Sequence, residues 1–375
     1  MSRALKDDSA SRPLVGLGVI DASRMFAGPI CGMRLGDPGA DVIKLEPPGG
    51  EWTRSHGFAN AEVGGETTAV LGLNRNKRCL TLNLKDPGGL KLLYRLRENC
   101  DVFVQNFRVG SAERLGIGYE QLAADYPELV YCQISGYGED GPYRDRPGQD
   151  LLLQGMFGSM WSVGTKTHPP TAGALWAIDS MTGYQAVIGI LAALRDRDST
   201  GRGQKVSVDM WSVAMDCQTQ EFPTYLNCGI QLERTDESFA HAWCNPPCGS
   251  YRTQDSYILL SQMPIDVVGD AVDDDHLRAI TSWSEGENRR DEIRRLLTKS
   301  LPLRPRQNGS KPSTSENYGR PRPTPTPTSR PTRFSRSTAD VRLPPLLLGE
   351  HTTSLLEQAG LSTDEINELR NNGTI

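Results

Sequence analysis

Val130-Tyr131-Cys132-Gln133-Ile134 runs into Ser135-Gly136-Tyr137-Gly138 and then, ten residues later, Gly148-Gln149-Asp150 before Leu151-Leu152-Leu153. The first five residues have the apolar, β-branched and aromatic character of a buried strand. The glycines make a loop, and the leucine run starts a helix. Asp150 therefore stands where a chain leaves a strand and enters a helix. Two readings of it are open. It can accept backbone N–H groups as a helix cap, or it can be a reacting carboxylate at the mouth of an α/β sheet.

Outward from this stretch the same unit repeats. Strands are expected over 14–22, 41–46, 79–84, 101–105 and 205–208, and helices after Asp86-Pro87, around 111–115 and 119–126, and from Ser180 to about Arg195. Strand and helix alternating at this spacing predict an α/β fold: a parallel, Rossmann-like sheet with helices on both faces. Ligands of such sheets bind outside the carboxyl ends of the strands. Phe26, Lys77, Asn106, Tyr137 and Asp150 all fall at or soon after expected strand ends. Phe26-Ala27-Gly28-Pro29 opens a helix of small residues, whose glycines serve either close packing or an anion at the helix start. Asp179 is a second carboxylate at a helix start, and the cap reading applies to it equally.

The chain has 375 residues and a formal net charge of −5. That length suggests about two domains, and the mild charge argues against a nucleic-acid binder. No unbroken apolar run reaches bilayer length, and residues 1–13 resemble neither a secretory nor a transit signal. A cytoplasmic location and no membrane partner are the expectation. The eight cysteines read as reduced core thiols. His241, Cys244 and Cys248 lack the further ligands of a structural zinc site, so no metal is expected. No Gly-x-Ser-x-Gly elbow marks a hydrolase serine.

Composition divides the chain into a large Rossmann-like domain over 1–225, a smaller α/β domain over 226–300, the segment 301–332, and a C-terminal strip with helices over 333–375 that packs back on the large domain. Residues 301–332 carry eight prolines, which exclude helix and central strand and predict disorder.

Several motifs resemble the class III CoA-transferases, the family that includes formyl-CoA and carnitine CoA-transferases and the α-methylacyl-CoA racemases. They are Val19-Ile20-Asp21-Ala22-Ser23-Arg24-Met25-Phe26-Ala27-Gly28-Pro29, residues 39–50, Asn74-Arg75-Asn76-Lys77-Arg78, Gln105-Asn106-Phe107-Arg108-Val109-Gly110, Gly148-Gln149-Asp150 and residues 200–206. The resemblance covers 14 to about 300 and 333–375. It implies an interlocked homodimer, acyl-CoA as a substrate, no permanently bound cofactor, and CoA transfer to a carboxylic acid through an aspartyl intermediate. By resemblance Asp150 is the nucleophile, and Phe26, Ala27, Lys77, Asn106, Phe107, Arg114, Tyr137 and Asp179 belong to the CoA site. The racemase branch, the alternative activity, places a histidine immediately before the aspartate at 150. Gln149 stands there instead, and an amide cannot exchange a proton at neutral pH. The Pro/Thr/Arg run replaces part of the small domain, which leaves a third reading, an inactive CoA-binding remnant.

Overall fold

The computed structural model describes residues 12–301 except 232, 238, 239 and 255, together with 332, 335, 337 and 340–375. Most of the segment expected to be disordered, 302–331, lies outside the described residues. Ten strands are present among them: β1 Gly18–Asp21, β2 Asp41–Glu46, β3 Glu62–Val63, β4 Glu66–Thr67, β5 Lys77–Thr81, β6 Val102–Gln105, β7 Val130–Ser135, β8 Lys205–Asp209, β9 Gly249–Arg252 and β10 Tyr257–Leu260. Six of them form one parallel sheet in the order β5-β2-β1-β6-β7-β8.

The alternation of side chains along each strand explains why helices cover both faces. Val19, Val42, Val102, Val104, Val130, Cys132 and Ile134 point to one face. There they bury against Ala27, Cys31 and Leu35 of helix Ala27–Gly36 and Ala186, Ile190 and Ala193 of helix Ala177–Thr200. Ile20, Leu45, Leu80, Phe103 and Tyr131 point to the other, against Leu92 and Leu93 of helix Pro87–Arg97 and against Leu355 and Leu356 near the C-terminus. Phe103 and Tyr131 stack across neighbouring strands with ring centroids 5.5 Å apart.

Helix Ala177–Thr200 is long and apolar enough, by length and composition, to cross a membrane. A search for an unbroken apolar run passes over it. One side of it is spent on the sheet: Ile178, Thr182, Ala186, Ile190 and Ala193 are buried. Gly183 lets it approach helix Ala27–Gly36, since a Cβ there would stand 2.7 Å from the Ala27 carbonyl oxygen.

The chain divides into two compact units that are not contiguous in sequence. The first takes the residues up to Asp150, then Ala177–Val213 and the C-terminal residues; the second takes Leu151–Trp176 and the residues from Ala214. A contiguous boundary at 225/226 does not describe this division, because the chain leaves the first unit twice and returns twice. The C-terminal residues border β5. His351 N–H donates to the Cys79 carbonyl, Thr81 N–H to Thr352 Oγ1 and Asn76 N–H to the Leu343 carbonyl. Ser362 and Glu365 close a reciprocal capping box on helix Thr363–Asn371.

The second unit contains the antiparallel pair β9–β10 and a core of Tyr251, Ile265, Val268, Leu277, Ile293 and Leu297. Its helices Ile265–Val272, Asp275–Arg278 and Trp283–Asn288 are too short to show a sustained apolar period in the sequence.

Candidate active site

Strands β1, β6 and β7 are consecutive in the sheet, so the loops that leave their carboxyl ends lie side by side. Chain order reverses between β1 and β6, which makes that crevice the ligand position of an open α/β sheet. Phe26 and Ala27 follow β1, and Asn106 and Phe107 follow β6. The Asn106 amide clamps the two loops together: its Oδ1 accepts the Arg24 N–H at 2.7 Å and its Nδ2 donates to the Arg24 carbonyl at 2.8 Å. The Arg24 guanidinium lies 5.1 Å from the centre of the Phe107 ring. Helix Ala27–Gly36 starts here without a side-chain cap, which leaves its first-turn amides suited to a phosphate. Arg114, exposed on the short helix Ser111–Arg114, adds a cation held by Ser111 Oγ at 2.8 Å.

The third loop, after β7, carries the carboxylates. Gly136 and Gly148 pack backbone against backbone; a Cβ on Gly148 would stand 2.2 Å from the Gly136 Cα. That contact brings the chain back to the end of β7 just before Asp150. Tyr137 lies among Tyr143 and Trp211, with ring centroids 5.7 and 6.0 Å away.

Asp150 is 2% exposed. Its Oδ2 accepts the Asp179 N–H at 3.0 Å. The cap reading thus takes an unexpected form, with Asp150 receiving an amide from the first turn of helix Ala177–Thr200 rather than only serving its own helix. Asp179 keeps partial contact with solvent. Burial, reinforced by the neighbouring Asp150 carboxylate, pushes its pKa up to about 7. Asp150, expected as the reacting group, is the more buried member of a carboxylate pair, and Asp179, expected as a helix cap or a CoA-site residue, is the less buried one.

Lys77 departs from expectation. It opens β5 rather than following a strand, and it is fully buried. Its ammonium donates to Asp21 Oδ2, the Pro29 carbonyl and Asn74 Oδ1, each at 2.8 Å. Three partners inside the protein occupy all three of its protons, so it supports the loop after β1 from beneath instead of presenting a cation to a ligand.

Around Lys77 lies a buried ionic network that sequence reasoning missed. Lys44, at 0% exposure, donates to the Ser23 carbonyl and pairs with Glu51 Oε1 at 3.2 Å. Ser23 N–H and Oγ both donate to Asp21 Oδ1. Arg54 holds Glu46 at 2.7 Å and Glu66 at 2.6 Å. Burial opposes charge on Asp21, yet Lys77 and Lys44 hold its carboxyl below the ordinary value. Burial likewise opposes charge on Lys44, and Asp21, Glu51 and Glu46 keep its ammonium above the ordinary value. A signal was present: Val42, Lys44 and Glu46 share one face of β2, so charge replaces apolar character toward its carboxyl end.

His241 Nε2 lies 3.1 Å from Cys244 Sγ, but no group of three potential metal ligands occurs among the described residues.

A doubly wound parallel sheet, crevice loops at its reversal point and a pair of neighbouring carboxylates define an α/β protein of the open-sheet, ligand-binding class. The chain belongs to CoA-transferase family III, whose model matches residues 14–310. It is 38% identical over 245 residues to the succinyl-CoA–L-malate CoA-transferase beta subunit of Chloroflexus aurantiacus, covering 65% of this chain and 60% of that protein. It is 35% identical over 261 residues to succinyl-CoA:glutarate CoA-transferase of Mus musculus, covering 69% and 58%. The chain thus spans about three-fifths of the length of these curated relatives. A crystal structure of a CAIB/BAIF family protein from Brucella suis superposes with a TM-score of 0.77 at 27% identity, covering 92% of this chain and 99% of that one.

Proposed function

We propose that this chain transfers CoA from an acyl-CoA thioester to a carboxylic acid through an aspartyl intermediate. The observation that carries this reading is the Asp150–Asp179 pair beside the Gly136–Gly148 contact, at the carboxyl end of the sheet where the crevice loops also leave. Asp150 is the attacking group in this reading, at the place where the chain enters helix Asp150–Met156. Asp179, whose N–H Asp150 accepts, has its proton affinity raised by burial and by the Asp150 carboxylate and stands beside the nucleophile as its positioning partner.

Ionised Asp150 attacks the thioester carbonyl, and CoA leaves as its thiolate, giving a mixed anhydride. The thiolate then attacks the aspartyl carbonyl, forming an enzyme–CoA thioester and releasing the donor acid as a carboxylate. The acceptor carboxylate attacks that thioester and frees CoA thiolate again. Attack of the thiolate on the acceptor acyl carbonyl yields the new acyl-CoA and restores Asp150. Carboxylate replaces carboxylate throughout, so no net proton or electron is consumed.

Two names among the relatives direct the substrates to try first, succinyl-CoA as donor with malate or glutarate as acceptor. Gln149 favours transfer over racemisation, because the position offers no second acid–base group. A homodimer is part of the proposal. Met181, Tyr184, Ile188 and Leu191 form an exposed apolar stripe along helix Ala177–Thr200. The test is trapping: hydroxylamine or borohydride added during incubation with succinyl-CoA should modify Asp150, identified by peptide mapping. Modification at Asp179 instead would move the nucleophile to that carboxylate, and no modification with any acyl-CoA tried would end the covalent reading.

A further inference from the structure

We propose that Glu51 is a positioning residue that sets the affinity of the loop after β1 for CoA. The inference rests on the proposed CoA chemistry, and it concerns a residue that touches none of the reacting atoms.

Met25 sits between Arg24 and Phe26 in the crevice loop with φ +67°. A non-glycine residue in that left-handed region is disfavoured by the approach of its Cβ to the backbone. Something must hold it there, and the side chain of Met25 does not, being 44% exposed. The backbone does. Glu51 Oε2 accepts the Met25 N–H at 2.7 Å, while Oε1 pairs with the Lys44 ammonium at 3.2 Å. Lys44 in turn bonds the Ser23 carbonyl, and Asn106 clamps Arg24. Three consecutive residues, Ser23, Arg24 and Met25, are therefore each gripped by a side chain from outside the loop.

Glu51 is itself fixed. It is 4% exposed, and its N–H donates to Glu46 Oε2 at 3.1 Å, an oxygen that also receives Arg54 Nε at 2.7 Å. Around the loop, two ammoniums (Lys44 and Lys77) meet two carboxylates (Asp21 and Glu51). Taking away Glu51 removes the carboxylate that Lys44 pairs with, and it frees Met25 to leave the left-handed region. The loop then has to be reordered whenever CoA binds. Reordering lowers affinity for any CoA ester alike, so the loss falls on binding rather than on the chemical step.

The experiment compares wild type, Glu51→Gln, Glu51→Ala and the double variant Met25→Gly/Glu51→Ala, using CoA alone as the calorimetric ligand, with KM and kcat for succinyl-CoA and a thermal melt for each. Glu51→Ala is expected to weaken CoA binding on the order of tenfold, raising KM while kcat changes less than threefold. Glu51→Gln keeps an oxygen for the Met25 amide and should lose less. Glycine adopts the left-handed conformation freely, so the double variant should recover affinity relative to Glu51→Ala without recovering thermal stability. CoA affinity unchanged in a destabilised Glu51→Gln or Glu51→Ala protein would overturn the inference, as would a double variant that binds no better than Glu51→Ala. Wild type that binds no CoA would remove the proposed function itself, and this inference with it.

Discussion

Two neighbouring carboxylates, one of which accepts the backbone N–H of the other, make the pH behaviour of this protein predictable. Asp179 has its pKa raised to about 7 from an ordinary 3.8 by burial and by Asp150, so the folded protein holds that proton more tightly than the unfolded chain. The resulting stability is complete below the unfolded-state value near 3.8 and is lost as pH climbs through about 7. Asp179→Asn should therefore match wild type near pH 4 and exceed it by roughly 2–4 kcal/mol at pH 8. Urea denaturation at the two pH values checks this. In the transfer reaction Asp150 is the attacking carboxylate, so Asp150→Asn should abolish turnover of succinyl-CoA, because an amide supplies no attacking oxygen; a variant that keeps the wild-type kcat/KM would leave Asp150 a purely structural role. Legibility at this scale was uneven. Both aspartates were recognisable as helix-start carboxylates, but spacing could not say which one faces solvent. Lys77 read as a CoA-site cation because a cluster of Arg and Lys gives no sign of the buried Asp21 waiting 56 residues away.

Elements with a long apolar period were legible, and short ones were not. The buried strands β2, β6 and β7 stand where their residues predict, because alternate side chains feed two helix layers. The start of β5 was missed by two residues. Lys77 and Arg78 look like loop, yet both find acids elsewhere in the sheet, Asp21 on β1 and Asp41 on β2. The pairs β3–β4 and β9–β10 offer too few residues to distinguish a strand from a turn. The connection between β7 and the following helix depends on two glycines in contact. Gly148→Ala should force the backbones apart, costing about 1–3 kcal/mol and displacing Asp150 from the Asp179 amide. A lower melting temperature together with a loss of transfer activity beyond tenfold is the expected outcome; a variant as active as wild type would show that Asp150 tolerates the shift.

Across the whole molecule, family membership rests on residues 14–310, and the architecture agrees with the Brucella suis protein over almost all of that chain. The exposed stripe on helix Ala177–Thr200 belongs to this scale. Light scattering at micromolar concentration should give twice the 41.2 kDa chain mass, and Ile188→Glu, placed at the most exposed stripe residue, should shift the protein toward monomer. A monomeric wild type would refute the dimer.

The C-terminal residues bordering β5 bear on how the protein is made. β5 is an edge strand, and the groups on its open side are satisfied by residues some 270 positions later in the chain. During synthesis the sheet is thus nearly finished while its last edge still lacks a neighbour. An unpaired edge is a template for a strand from another nascent chain. Ribosomes stalled before the codons for 343–352 should therefore yield aggregating polypeptide, and a peptide of that sequence added in trans should suppress it.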